Sequence, residues 1–350
     1  MNYLHPFSTV ASLKKLLQIK RESSLTDCFL IDTPIHKNVG DLAIAYAERQ
    51  FIESQTNNRF AEITALELDY CEKEFASIIP TNKTILVHGG GFLGSLWPNE
   101  EERFRRILSA FSSHRIIVFP QTVTFNLKTK TGKRYMKESQ LTYSAHPNLT
   151  ICVRDKMSHE LLHDLFPKIK TALIPDMVLQ LKIKNISNIN RKGILLCMRD
   201  DHEKALSEAE EKKLSAILSE RKEVITRTDM SANVSPSTKA KSEKIVDEKL
   251  SEFRKSKIVI TDRLHGMIFS ALTGTPCIAL NNSNKKVEAV YQWIDSLEYI
   301  HCARSIDELK VILSRLDLSK TYSYKYEITQ PYFAQLSTII TNRNNNHTCL

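Results

Sequence analysis

Short runs of aliphatic and β-branched residues recur along the chain. Longer stretches with apolar residues every three or four positions separate them. Residues 28–32 (CFLID), 62–68, 84–88 (TILVH), 115–119 (RIIVF) and 149–153 have the character of buried strands. Residues 42–54, 99–111 and 156–165 have the 3.6-residue period of amphipathic helices. Strands alternating with helices predict a parallel sheet covered on both faces.

The polar, Asn-rich segment 182–192 (KIKNISNINRK) breaks this pattern as a linker would. The alternation then restarts with strands at 193–198 (GILLCM), 223–226, 257–261 (KIVIT) and 276–280 (PCIAL). Helices at 208–219, 242–256 and 264–273 fill the gaps, and 331–340 can form a last helix in a Tyr- and Asn-rich tail. The expected fold class is α/β, with two doubly wound, Rossmann-like domains. The expected bounds are 1–185 and 191–320, with 321–350 as a tail or helix. Ligands in such sheets sit at the carboxyl ends of strands, and a cleft between two domains is the default site.

The length of 350 residues supports two domains, and 42% apolar with 25% charged residues exclude a mainly disordered chain. No apolar run approaches a membrane span, and no signal peptide is read at the N-terminus. Lys plus Arg number 49 against 40 acidic residues, a formal charge of +9. This suits either solubility alone or affinity for anions. No dense basic block is present, so nucleic acid is not favoured. Seven scattered cysteines without a C-x-x-C pair indicate neither a disulfide framework nor a zinc site, and fit a reducing compartment.

Only nine glycines occur, and four lie in the run His88-Gly89-Gly90-Gly91-Phe92-Leu93-Gly94. The run spells G-x-G-x-x-G, but the next strand ends Phe119-Pro120-Gln121 without the acidic residue a dinucleotide ribose needs. Ser95-Leu96 replaces the Lys-Ser/Thr of a phosphate loop, and no G-x-S-x-G elbow accompanies the His-Gly-Gly-Gly string. What remains is a tight turn, either purely structural or with amides facing an anion.

Charged residues gather at strand ends. Asn38-Val39-Gly40-Asp41 opens the first long helix, where Asp41 suits an N-cap or a catalytic carboxylate. Arg154 and Asp155 close one strand, with Arg154 either at the cleft or in a strand-end ion pair. The densest cluster is Asp262-Arg263-Leu264-His265-Gly266, at the turn from a buried strand into a helix. Arginine offers a planar fork for carboxylate or phosphate, and histidine can move a proton near neutral pH. Lys285 and Lys286 follow the strand PCIAL and add positive charge. Neither a carboxylate cluster nor a His/Cys metal spacing is present.

These strings together resemble the polysaccharide pyruvyl transferase family. The matching pieces are 38–47 (NVGDLAIAYA), 85–93 (ILVHGGGFL), 118–121 (VFPQ), 152–155 (CVRD), 174–176 (IPD), 260–271 (ITDRLHGMIFSA) and 276–280 with Lys285-Lys286-Val287. They run in family order over most of the chain. His88 departs from the family, which more often has another glycine there. The resemblance implies two facing Rossmann-like domains similar to two-domain (GT-B type) glycosyltransferases, the first on the acceptor side and the second on the donor side. It implies transfer of pyruvate from phosphoenolpyruvate to two sugar hydroxyls, giving a ketal and phosphate.

The resemblance ties Arg154, Arg263, Leu264, His265 and a lysine (Lys285 or Lys286) to donor binding, and makes Asp41 a functional position. The residues suit the chemistry, since cationic side chains offset the donor's carboxylate and phosphate. His265 is expected as proton donor and Asp41 as base or hydroxyl-orienting group, or the two with roles exchanged, with Arg263 beside them. Asn38, Gly40, Gly89, Gly90 and Gly91 are expected to line the substrates. No cofactor and no metal are expected. A nucleotide-sugar glycosyltransferase of the same fold is the competing enzyme, and a silent sugar- or anion-binding protein the competitor from another class. The expected acceptor is a sugar or a lipid-linked oligosaccharide. The expected location is cytoplasmic, with the basic surface able to touch the inner membrane face. Trp97, Phe125 and Tyr135, in or near segments 92–98 and 123–134, can either stack on sugar rings or pack internally.

Overall fold

The computed structural model describes residues 6–184, 190–199, 206–281 and 286–342. The chain divides into two compact units. Unit 1 is Met1–Ile35, Ile44–Leu181 and Gln330–Leu350, and unit 2 is His36–Ala43 and Lys182–Thr329.

Unit 1 holds strands β1 (Cys28–Thr33), β2 (Phe60–Thr64), β3 (Thr84–Val87), β4 (Gly90–Gly94), β5 (Arg115–Thr124), β6 (Leu149–Val153) and β7 (Lys170–Leu173). Its order is β2-β1-β3-β5-β6-β7, with β4 paired to β5. Every pairing is parallel. β1 and β3 are buried at every position, which is why both read as continuous apolar runs. β5 serves two partners in succession. Its start pairs with β3 and its end, from Gln121, with β4. Pro120 lacks an N–H and falls where the register with β6 shifts, the place a sheet tolerates proline.

The helices of this part of the chain are α1 (Pro6–Glu22), α2 (Val39–Phe51), α3 (Ala65–Leu68), α4 (Glu72–Ile78), α5 (Pro98–Ala110), α6 (Lys130–Ala145) and α7 (Lys156–Leu165). The expected strand 62–68 is instead β2 followed by α3. Thr64 and Glu67 form a capping box that turns the chain into a helix. Phe125 and Tyr135 belong to the core: Phe125 stacks on Phe166 at 6.0 Å, and the Tyr135 hydroxyl donates to Glu102 at 2.6 Å. Trp97 is 39% exposed.

Unit 2 holds β8 (Lys192–Cys197), β9 (Ile225–Thr228), β10 (Ser256–Thr261), β11 (Cys277–Leu280) and β12 (Ile300–Ala303), in the order β12-β11-β10-β8-β9. All pairs are again parallel. Its helices are α8 (Glu208–Ser219), α9 (Lys239–Lys255), α10 (Leu264–Thr273), α11 (Lys286–Tyr291) and α12 (Ile306–Arg315). Two α/β units with all-parallel sheets therefore stand as expected.

The unit boundaries differ from the expected ones in two places. The last helix, α13 (Gln330–Thr341), belongs to unit 1. Phe333 meets Phe51 with ring centroids 6.0 Å apart, and the Arg115 guanidinium donates to the Ile339 and Ile340 carbonyls. Residues His36–Ala43 belong to unit 2. The Val39 amide donates to the Met230 carbonyl at 2.9 Å and the Ala232 amide to the Lys37 carbonyl at 2.7 Å. These bonds join segments almost two hundred residues apart, which no local pattern can reveal.

In each unit the strand order reverses once. After β1 the chain goes to β2, then returns to the other side of β1 as β3. In unit 2 it goes from β8 to β9, then returns to the other side of β8 as β10. These switch points open a crevice at the carboxyl strand ends, because the flanking connections leave in opposite directions.

α10 is buried almost throughout and ends at Gly274, whose φ of 62° is left-handed. A methyl group there would also meet the Tyr322 backbone, with its carbonyl carbon at 2.8 Å. Gly274→Ala should therefore destabilise unit 2 by about 2 kcal/mol or more, the cost of a left-handed alanine plus a backbone shift. Denaturant unfolding followed in parent and variant measures it, and equal midpoints would contradict it.

Candidate functional site

The switch point of unit 2 carries the densest chemistry. β10 ends at Thr261, whose hydroxyl donates to the Cys197 carbonyl at 2.7 Å and accepts the Arg263 amide at 3.0 Å. This pins the turn into α10. Asp262, 1% exposed, accepts the Arg199 amide on Oδ1 at 2.9 Å. Among the described residues its Oδ2 has no hydrogen-bond partner. Burial pushes this carboxyl up to about 6. Arg263 turns its guanidinium onto Asp229, with Nε 2.7 Å from Oδ1 and Nη2 2.8 Å from Oδ2. Leu264 is buried and His265 half-buried in the first turn of α10.

The segment before α2 lies against this turn. Asn38, not Asp41, caps the helix: its Oδ1 accepts the Gly40 amide at 2.9 Å. Asp41 stands in the first turn, paired with His36 Nε2 at 3.6 Å. A Cβ at Gly40 would fall on the His265 ring, 2.7 Å from Cγ and 2.8 Å from Cε1. The imidazole thus occupies the space that any side chain at position 40 would need. Asn38, Gly40, Asp41, Arg263, Leu264 and His265 all belong to unit 2. So does Lys286, the first residue of α11; Lys285 lies outside the described residues.

Gly89, Gly90, Gly91 and Arg154 belong to unit 1. The Gly89 amide has an anion of the protein's own, Glu48 Oε1 at 2.7 Å. The other carboxylate oxygen lies 2.8 Å from His88 Nδ1. Burial raises the Glu48 carboxyl, and the facing His88 opposes that rise. Gly90 and Gly91 open β4 rather than a loop, with Gly90 at a φ of 136°. Arg154, 3% exposed, donates to Thr122 Oγ1 at 2.9 Å and Asp176 Oδ2 at 2.6 Å. Arg154 thus sits in a strand-end ion pair. Asp155 caps α7 through the Ser158 amide. At the switch point of this sheet, Asp32, next to last in β1, has φ 66° and pairs with Arg103 Nε at 2.6 Å.

Sequence reasoning assigned no role to Asp229, Glu48 or Asp32. Asp229 follows β9, which was expected two residues too early, so its place at a carboxyl strand end went unseen. Glu48 sits inside a helix with no local signal of burial. Burial pushes the thiols of Cys152, Cys197 and Cys277 up to about 12, which leaves none of them a nucleophile near neutral pH. Among the described residues, no helix is long and apolar enough to cross a membrane.

Comparison with known proteins decides the family. The polysaccharide pyruvyl transferase model matches residues 38–284. The chain belongs to the polysaccharide pyruvyl transferase family. It is 34% identical over 324 residues to General stress protein 30 of Bacillus subtilis, covering 87% of this chain and 92% of that one. It is 30% identical over 270 residues to Pyruvyl transferase 1 of Schizosaccharomyces pombe, covering 73% and 66%. A functionally uncharacterized protein of Klebsiella pneumoniae has a similar fold, with a TM-score of 0.57 at 17% identity over 84% of this chain and 98% of that chain. The family match spans both Asn38–Asp41 and Arg263–His265, the strings that unit 2 brings together.

A pyruvyl transferase that buries Asp262 beside its switch point carries a cost that depends on pH. The folded carboxyl holds its proton up to about 6, against an ordinary 3.8. Its contribution to stability is therefore full below pH 3.8 and is lost as pH rises through about 6. Each pH unit between those two values is worth about 1.4 kcal/mol, so the loss comes to about 3 kcal/mol. Asp262→Asn keeps an acceptor for the Arg199 amide and cannot ionise. The variant should gain stability relative to the parent as pH rises from 4 to 7, approaching about 3 kcal/mol. A difference that is flat across this range in paired denaturant titrations would contradict it.

Proposed function

We propose that this chain transfers pyruvate from phosphoenolpyruvate to two hydroxyls of one sugar, in a polysaccharide or its precursor. The products are a cyclic ketal and free phosphate. The observation that carries the reading is the His265 ring seated on Gly40. It brings an ionisable ring beside the Asn38–Asp41 segment, two residues from the anion-binding fork of Arg263.

The donor carries a carboxylate and a phosphate. Arg263 is suited to hold one of them by its planar fork, with Lys285 or Lys286 adding charge. His265 gives a proton to the methylene carbon, and positive charge develops at C2. A sugar hydroxyl bonds to C2 and yields its proton to a base, the role proposed for Asp41. A second hydroxyl of the same sugar then bonds to C2 as the C2–O bond to phosphate breaks. Its proton goes out with the phosphate, which leaves as the monohydrogen ion, and the proton held by Asp41 returns to His265. The sum is donor plus diol giving ketal plus phosphate, and no step calls for a metal ion or an organic cofactor.

The reading is tested by incubating the chain with phosphoenolpyruvate and candidate glycans. Expected are phosphate release and a glycan heavier by pyruvate less one water. Phosphate release without that adduct, or neither product with any glycan offered, would contradict it. His265→Gln tests the proton donor. At saturating phosphoenolpyruvate its single-turnover rate should fall by roughly 10² to 10⁴, the range for general acid catalysis, with donor affinity changed little. A near-parental saturated rate with much weaker donor binding would make His265 a phosphate ligand instead.

A further inference from the structure

Asp229 is assigned no part in the reaction above, yet its carboxylate accepts three hydrogen bonds. Oδ1 accepts Arg263 Nε at 2.7 Å and the Met230 amide at 2.7 Å, and Oδ2 accepts Arg263 Nη2 at 2.8 Å. The residues that follow run antiparallel to the segment before α2. The Met230 carbonyl accepts the Val39 amide at 2.9 Å, Ser231 bridges Asn38, and the Ala232 amide donates to the Lys37 carbonyl at 2.7 Å. Gly40, next along, receives the His265 ring, and His265 lies two residues from Arg263. The links close a ring: Arg263, Asp229, Met230, Val39, Gly40, His265 and back to Arg263.

We propose that Asp229 is the positioning residue of the donor site, fixing the guanidinium plane of Arg263 relative to Gly40 and His265. The proposal rests on the reading of Arg263 as a ligand of phosphoenolpyruvate. A guanidinium held along its Nε–Nη2 edge by both oxygens of one carboxylate keeps one plane and one heading. A long arginine side chain without that hold loses rotamer freedom each time it meets an anion, and affinity falls accordingly. The pair is partly accessible, with side chains 16% and 35% exposed, so it adds little to stability. Its worth lies in geometry. The Met230 amide in the same carboxylate ties that geometry to the strip that carries Asn38 and Gly40.

The test is calorimetric titration of the full-length chain with phosphoenolpyruvate. It compares parent, Asp229→Ala, Asp229→Asn, Arg263→Ala and the Asp229→Ala/Arg263→Ala double variant. Melting curves run alongside. Asp229→Ala should weaken donor binding on the order of tenfold to a hundredfold, the worth of charged hydrogen bonds lost to orientation. Asp229→Asn keeps one oxygen for Arg263 Nε and the Met230 amide, so it should fall between, with unchanged melting. In the Arg263→Ala background, Asp229→Ala should add nothing, a coupling that a merely structural residue would not produce. Unchanged or tighter donor binding in both Asp229 variants would overturn the proposal, tighter binding marking Asp229 as a mask over Arg263. Equal losses in the presence and absence of Arg263 would also overturn it. No binding of phosphoenolpyruvate by the parent chain would overturn the donor reading, and the role of Asp229 with it.

Discussion

The contact between the His265 ring and the bare backbone at Gly40 constrains much of what surrounds it. An imidazole can lie there only because position 40 has no side chain, and it is held there because α10 begins one residue earlier. The same contact, with the two backbone bonds between segments 37–39 and 230–232, is why His36–Ala43 counts with unit 2 although its neighbours in sequence count with unit 1. The unit boundary consequently falls inside α2, between Ala43 and Ile44. The first turn of that helix groups with unit 2. The rest of it, with the buried Glu48, groups with unit 1.

Much of the fold was legible because buried parallel strands are apolar throughout and their crossover helices are amphipathic. β6, α7, α8 and α10 have the bounds read from the residues alone. What escaped has physical reasons. β4 is spelled Gly-Gly-Phe-Leu-Gly, and glycine carries no strand signal. β9 is exposed at three of its four positions, so its apolar run was placed two residues early and Asp229 was overlooked. The return of α13 to unit 1 and the transfer of His36–Ala43 to unit 2 depend on contacts between distant segments. The candidate site fared similarly. Asn38, Gly40, Asp41, Arg263 and His265 were read from local strings, and the structure brings them into one unit. Their partners Asp229 and Met230 come from elsewhere in the chain.

Several buried or half-buried charges in this protein are held by countercharge. Arg263 has Asp229, Arg154 has Asp176, His88 has Glu48 and Arg103 has Asp32. Asp262 differs. It is buried at the carboxyl end of β10 with one backbone amide for Oδ1, and burial resists its ionisation. A carboxylate kept at such a cost beside the turn proposed to bind the donor follows the pattern in which stability is given up at functional positions. The glycine run of unit 1 shows the opposite economy: its first amide is satisfied by Glu48, within the fold itself.

The central claim is that the seating of His265 on Gly40 makes the site of pyruvyl transfer. Its most direct test is the single-turnover rate of Gly40→Ala at saturating phosphoenolpyruvate, with α2 and the fold verified by circular dichroism and melting. A methyl group at position 40 must displace the ring. The account predicts a saturated rate lower by at least about a hundredfold, approaching that of a variant without the imidazole. A folded Gly40→Ala protein that turns over bound donor at the parental rate would contradict it.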